Sequence, residues 1–211
     1  MDPCEQAILV FAKAPVEGQV KTRLIPALGA AGAARLYRGL LHRLIQRLAQ
    51  ARLGRVELWC APNTQHVDFQ RLQGLEGVSL HTQQGVDLGE RMANASTQAL
   101  GRHRRVLLIG VDCPALSLSV LQQAFDWLQG VDAVLGPAED GGYVLLGLKR
   151  PADCLFQGLP WGGSEVGRLT RRCMQQLEWR WRELPVLWDL DRPEDLARLS
   201  ELGLEPAGIS L

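Results

Sequence analysis

Apolar residues along the chain come in two alternating rhythms. Short, continuous runs such as AILVFA (Ala7–Ala12) read as strands covered on both faces. Longer stretches with a stripe every three or four residues read as amphipathic helices. The runs at Val56–Cys60, Val78–His81, Val106–Val111, Ala133–Gly136, Tyr143–Leu148 and Leu184–Trp188 are the further strand candidates. Helices are expected from about Ala30 to Ala51, with Leu36, Leu40, Leu44 and Leu48 on one stripe, and over Asp87–Gly101, Leu118–Leu128, Ser164–Leu177 and Pro193–Leu202. Alternating β and α elements predict an α/β fold, a mostly parallel sheet with helices on both faces. No linker, repeat or low-complexity stretch divides residues 1–211, which therefore read as a single domain.

Composition narrows the class. The chain has 211 residues, 46% hydrophobic and 22% charged, with 23 basic and 23 acidic side chains. Zero formal net charge argues against broad nucleic-acid binding, which needs a basic face. No apolar run approaches a membrane span, and no signal-peptide pattern precedes the first strand. The five cysteines, Cys4, Cys60, Cys113, Cys154 and Cys173, include no C-x-x-C pair, so reduced thiols and a cytoplasmic location are expected. The histidines His42, His66, His81 and His103 lack metal-ligand spacing and read as structural or surface residues. No G-x-S-x-G element marks an acyl-transfer nucleophile.

In open parallel sheets, ligands bind beyond the carboxyl ends of the strands. After the first strand comes KAPVEGQVKTRL, Lys13 to Leu24. Only three lysines stand against twenty arginines, and two of them, Lys13 and Lys21, fall in this loop with Arg23. The whole loop, Lys13–Leu28, holds Pro15, Gly18 and Pro26 before a long helix, and such a loop can cradle phosphates with its amides while the cations neutralise them. A solvated basic loop is the plainer alternative, and the pattern is neither a P-loop nor G-x-G-x-x-G.

After Val106–Val111, Asp112 stands where an apolar strand meets a proline turn, in GVDCPAL. A carboxylate there suits Mg²⁺ or Mn²⁺, which often take one or two protein carboxylates beside substrate phosphates. Closing its own turn is the plainer alternative, and the metal role is the favoured one. After the expected last strand, WDLDRPEDL places Asp189 and Asp191 two residues apart. Asp191 with Glu194 also makes a good helix start, with Pro193 in the first turn. If Asp189 lies on a strand end, alternation points it away from Asp191. Asp87 and Glu90 have the spacing of an acidic capping box. Glu139-Asp140-Gly141-Gly142-Tyr143 either presents a carboxylate and amides to a ligand or simply turns between strands. Leu159-Pro160-Trp161-Gly162-Gly163-Ser164 reads as a flexible, aromatic-bearing lip.

Taken in order, FAKAPVEGQVKTRL, DLGERM, LLIGVDCPAL, GPAEDGGYVLLGL, LPWGGSEV and DLDRPEDL resemble the DUF2064 transferases. These are GT-A-type proteins related to 2-phospho-L-lactate guanylyltransferases and, more distantly, to molybdenum-cofactor guanylyltransferases and sugar nucleotidyltransferases. The resemblance runs from about residue 7 to residue 202 and implies a GT-A, nucleotide-diphospho-sugar transferase-like fold. It implies nucleotide-phosphate contacts for Lys13, Lys21 and Arg23 within the Gly18 loop, with Lys21 and Asp112 at the centre of catalysis. It also implies Asp112 and Asp191 as ligands of Mg²⁺ or Mn²⁺, and Asp140, Gly141, Gly142 and Tyr143 along the substrate cleft. Trp161-Gly162-Gly163-Ser164 stands where family members carry a W-S-T-like turn, so the resemblance does not carry acceptor contacts over to this turn.

The implied partners are a nucleotide or nucleotide-sugar and a small-molecule acceptor. Three functions follow: nucleotidyl transfer from an NTP to a small phosphorylated acceptor, glycosyl transfer from a nucleotide-diphospho-sugar, or nucleotide-binding regulation without turnover. The basic loop, suited to a triphosphate, favours the first.

Overall fold

A computed structural model of the chain describes residues 5–201. The strands are β1 (Gln6–Lys13), β2 (Arg55–Ala61), β3 (Val78–Thr82), β4 (Arg105–Gly110), β5 (Ala133–Pro137), β6 (Tyr143–Leu148) and β7 (Trp181–Glu183). The helices are α1 (Ile25–Ala51), α2 (Val67–Gln73), α3 (Leu88–Leu100), α4 (Leu118–Trp127), α5 (Val166–Gln176) and α6 (Leu196–Glu201). One seven-stranded sheet runs in the order β3-β2-β1-β4-β6-β5-β7. β1 pairs in parallel with β2 and β4, β2 with β3, and β5 with β7; β6 alone runs antiparallel, between β4 and β5. The expected mostly parallel α/β sheet is present.

Strand alternation divides the core into two layers. Ile8, Val10, Leu107 and Ile109 face a cluster that includes Leu36, Leu40 and Leu48 of α1 and Leu121 and Phe125 of α4. Ala7, Leu9, Val106 and Leu108 face Met92, Ala95 and Ala99 of α3 and Cys173 and Met174 of α5. Covering both faces is what demands the continuous apolar runs of β1 and β4.

Several boundaries differ from expectation. α1 begins at Ile25, but Gly29, with φ 70° and ψ 163°, breaks it, so the regular helix follows that kink. The seven-residue α2 is too short to show a full apolar stripe; it buries Phe69 and Leu72. The last strand is not Leu184–Trp188. β7 precedes it, and Pro185, which lacks an N–H, interrupts the ladder. Pairing resumes only at an isolated bridge between Leu187 and Ala138. After a 3₁₀ turn at Pro193–Asp195, α6 reaches Glu201, and the expected end at Leu202 lies outside the described residues.

The cysteines also need correction. Cys154 and Cys173 form a disulfide, which joins the 3₁₀ turn Asp153–Leu155 to α5. Cys60 and Cys113 are free, and Cys4 lies outside the described residues. Spacing could not reveal the bridge, because the fold alone brings its Cα atoms to 6.1 Å. The thiol argument for a cytoplasmic location therefore does not hold for this pair. Among the described residues, no helix is long and apolar enough to cross a membrane.

Candidate active site

The carboxyl ends of β1 and β4 open into a cleft of about 770 Å³, within the range of small-molecule sites. Its wall includes Lys13, Lys21, Arg23, Asp112, Asp140, Tyr143, Asp189 and Asp191. Topology explains Tyr143: β6 is antiparallel, so its first residue lies at the end where β4 finishes.

The loop after β1 is built tightly. The Ala14 N–H donates to the Ala61 carbonyl at 2.8 Å, and buried Val20 anchors the far side. Gly18 takes φ 75°, and Lys21 takes φ 48°, a left-handed conformation uncommon for a residue with a side chain. That turn sends the Lys21 side chain inward, leaving it 4% exposed. Its ammonium donates to the Leu190 carbonyl and lies 2.9 Å from Asp112 Oδ1.

The Lys21–Asp112 contact has ion-pair distance but not hydrogen-bonding direction. The buried Oδ1 therefore has no hydrogen-bond partner among the described residues, although the Asp112 side chain is 46% exposed as a whole. A second pair stands beside the first, where the Arg23 guanidinium donates to Asp191 Oδ2. That hydrogen bond and the charge of Asp191 raise the pKa of Arg23. The Leu190 N–H donates to the Asp112 carbonyl at 2.8 Å, tying the two carboxylate-bearing segments together. Lys13 lies on the cleft wall with an exposed side chain, and its N–H donates to the Tyr37 hydroxyl at 2.9 Å.

Asp191 does not cap the last helix. Asp195 Oδ2 accepts from the N–H groups of Asp191, at 2.9 Å, and Arg192, at 2.7 Å, which leaves the Asp191 carboxylate to Arg23. Asp189 is not pointed away by strand alternation, because its segment is not a strand; it lines the same cleft. Burial, then the carboxylates of Asp140 and Asp191, push its pKa up.

Across the cleft, Asp140 Oδ1 accepts from the Gly142 N–H at 2.8 Å. Gly141 has φ 89°, and a Cβ there would stand 2.3 Å from the Ser164 carbonyl oxygen. The Gly167 N–H donates to the Gly141 carbonyl at 2.9 Å, so this turn is clamped to the start of α5. Tyr143 packs edge-on against Trp161, with centroids 6.3 Å apart. Its buried hydroxyl has no hydrogen-bond partner among the described residues, and burial raises its pKa. Asp87 accepts from the Glu90 N–H at 2.8 Å, the expected cap of α3.

Sequence reasoning passed over Gln83 and Arg91. Gln83 Nε2 donates to the carbonyls of Trp59, at 2.8 Å, and Ala12, at 3.1 Å. Arg91, inside DLGERM, adds a cation to the cleft wall. Gln83 follows β3, a position that the strand-end rule could have flagged.

Among the described residues, no three His, Cys, Asp or Glu side chains form a ready-made ion cage. The donor set nonetheless fits Mg²⁺ or Mn²⁺ arriving with phosphates, which needs only one or two carboxylates. Asp112 Oδ1, ion-paired with Lys21 but without a hydrogen-bond partner among the described residues, has lone pairs that suit such a ligand role.

No curated protein matches the chain. Among solved structures, a candidate nucleotide-diphospho-sugar transferase from Desulfovibrio desulfuricans G20 is similar at 34% identity and TM-score 0.81, over 89% of this chain and 83% of that one. A 4-diphosphocytidyl-2C-methyl-D-erythritol synthase from Anaerococcus prevotii shares the fold at 10% identity and TM-score 0.59, over 95% and 99% of the two chains. Rv0371c from Mycobacterium tuberculosis, solved in complex with manganese, shares it at 17% identity and TM-score 0.51, over 93% and 98%. The family described as "Uncharacterized protein conserved in bacteria (DUF2064)" is matched over residues 44–163, more than half of the sequence, and the chain belongs to the DUF2064 family.

Proposed function

We propose that this protein is a metal-dependent nucleotidyltransferase, moving the nucleotidyl group of an NTP onto a small phosphorylated acceptor. The observation that carries the reading is the meeting of two cations, Lys21 and Arg23, with two carboxylates, Asp112 and Asp191, at one end of the sheet. Triphosphate transfer needs that mixture, because anionic oxygens must be held while charge grows on the departing pyrophosphate.

In this reading Lys13, Lys21, Arg23 and the amides around Gly18 hold the phosphates. Asp112 and Asp191 would hold Mg²⁺ or Mn²⁺, which would supply Lewis-acid neutralisation of phosphate oxygens. Lys21 stabilises negative charge at the phosphorus under attack. Asp140, Gly141, Gly142 and Tyr143 form the acceptor wall, closed by Trp161. The acceptor oxygen forms a bond to the α-phosphorus while the bond to pyrophosphate breaks.

The similarity to the Desulfovibrio protein, with its sugar-transferase name, supports a second reading: glycosyl transfer from a nucleotide-diphospho-sugar. One experiment separates the two. NTPs and sugar nucleotides are screened for thermal stabilisation with and without Mn²⁺, and products are then assayed. A ligand at about 100 times its Kd adds roughly 2.7 kcal/mol of stability. Mn²⁺-dependent pyrophosphate release supports the first reading, and nucleoside diphosphate release the second. Binding without either product would indicate a regulator.

A further inference from the structure

We infer that Lys21 and Arg23 are exchangeable counter-ions for the carboxylates Asp112 and Asp191, so that the cleft accepts a divalent cation readily only together with a polyphosphate. The inference rests on the reading of those carboxylates as metal ligands and adds the device that controls their loading.

Each carboxylate already carries one protein cation, Asp112 the ammonium of Lys21 and Asp191 the guanidinium of Arg23. A dication entering alone would share these oxygens with two cations, and like charges at short range disfavour it. A polyphosphate brings the compensating negative charge and offers both cations a stronger partner, since phosphate oxygens accept charge-assisted hydrogen bonds well. Lys21 and Arg23 then turn from carboxylate to phosphate, and the freed oxygens take the metal.

The local geometry suits such an exchange. The ammonium of Lys21 has three donors. One is used by the Leu190 carbonyl, and the approach to Asp112 Oδ1 is not along a hydrogen-bonding direction. The ammonium is therefore held by charge and by one carbonyl, not by a closed hydrogen-bond cage. The Arg23 side chain is 64% exposed, and Asp191 is its hydrogen-bond partner on an otherwise open side. The left-handed backbone at Lys21 aims the ammonium at the carboxylate end of the cleft, at a conformational cost that a residue with a side chain carries only where its surroundings enforce it.

The test measures Mn²⁺ binding to the full chain by electron paramagnetic resonance, with no nucleotide present. Wild type is compared with Lys21→Met and with Arg23→Gln, the latter at a solvent-exposed position outside the core. Circular dichroism verifies the fold of each. Lys21→Met is expected to bind Mn²⁺ alone about tenfold more tightly than wild type, a usual size for coupling between sites. Arg23→Gln should move the same way by less. Inorganic tripolyphosphate without metal, followed by calorimetry, should bind wild type and weaken about tenfold or more in Lys21→Met. Mn²⁺ affinities equal to or below wild type in the folded variants overturn the exchange, as does an unchanged tripolyphosphate affinity. If no NTP yields pyrophosphate, the nucleotidyltransferase reading falls, while the Mn²⁺ comparison still decides the role of Lys21 and Arg23.

Discussion

Lys21 and Asp112 meet at 2.9 Å between the loop that follows β1 and the residue pair that follows β4, two strands that lie side by side in the sheet. The pair joins the basic loop to the carboxylate end of the cleft, and either partner can be removed in turn. Asp112→Asn should lower metal-dependent turnover by at least about 10²-fold, the size of effect seen when one electrostatic group of a transition-state site is removed. The fold should survive, because Lys21 keeps its bond to the Leu190 carbonyl and the Asp112 side chain is partly solvated. Turnover within a few-fold of wild type would remove Asp112 from the mechanism.

Lys21→Ala should weaken nucleotide binding by about 1.5–3 kcal/mol, the range for a hydrogen bond to a charged group. Isothermal calorimetry with the nucleotide identified by thermal shift measures this directly. An unchanged Kd would refute the phosphate role.

Gly141→Ala probes the turn proposed as the acceptor wall. The φ of 89° and the 2.3 Å approach to the Ser164 carbonyl leave no space for a methyl group. The expected loss is about 2–4 kcal/mol from combined strain and overpacking. For a chain of this size that corresponds to a Tm lower by roughly 5–10 °C. A Tm within about 1 °C of wild type would show that the turn moves freely away from α5.

The Cys154–Cys173 disulfide closes a loop with a sequence separation of 19 that contains Trp161 and the glycines of the lip. Loop-closure entropy assigns it about 3 kcal/mol. Urea unfolding of wild type with and without reductant, beside a Cys154→Ser, Cys173→Ser variant, should show that loss. The variant itself should be insensitive to reductant. Identical midpoints for oxidised wild type and variant would mean that the bridge contributes no stability.

Glu183 supplies a pH dependence. Arg171 donates to its two carboxylate oxygens at 2.8 and 2.7 Å, joining α5 to β7. These hydrogen bonds hold the Glu183 pKa below its ordinary value of 4.5. A depressed carboxylate pKa means that the folded state binds fewer protons than the unfolded one. The contribution is therefore present above pH 4.5 and is lost as pH falls through the lower folded value. The two side chains are 38% and 33% exposed, so solvent screening keeps the pair's worth under about 1 kcal/mol. Glu183→Gln should reduce the acid-side slope of stability against pH, read from denaturation midpoints. Parallel curves for variant and wild type would exclude the pair as a source of that slope.

Much of the fold is local in origin and was legible along the chain. The doubly covered strands β1 and β4 announce themselves because no polar residue interrupts Ile8–Ala12 or Val106–Ile109. The stripe of α1 and the Asp87 cap of α3 depend only on residues a few positions apart. Local signals are short or mixed elsewhere, and there the structure departs from them. The three residues of β7, Trp-Arg-Glu, carry no apolar run, and Pro185 turned an apparent strand into a single bridge. The disulfide was hidden because pairing of Cys154 with Cys173 depends on where α5 docks.

Residue type and strand-end position marked Lys13, Lys21, Arg23 and Asp112 from the sequence, since loops after parallel strands collect at one end of a sheet, while Asp140, Tyr143 and Asp191 were singled out by the family resemblance. Sequence could not decide which cation faces which carboxylate. That Lys21 turns inward to Asp112, that Arg23 takes Asp191, and that Asp195 replaces Asp191 as the cap were settled only by tertiary structure. The reason is physical: Coulomb and hydrogen-bond energies depend on distances of a few ångströms between groups far apart in the chain. Those distances are set only when packing of the two core layers brings the strand ends together.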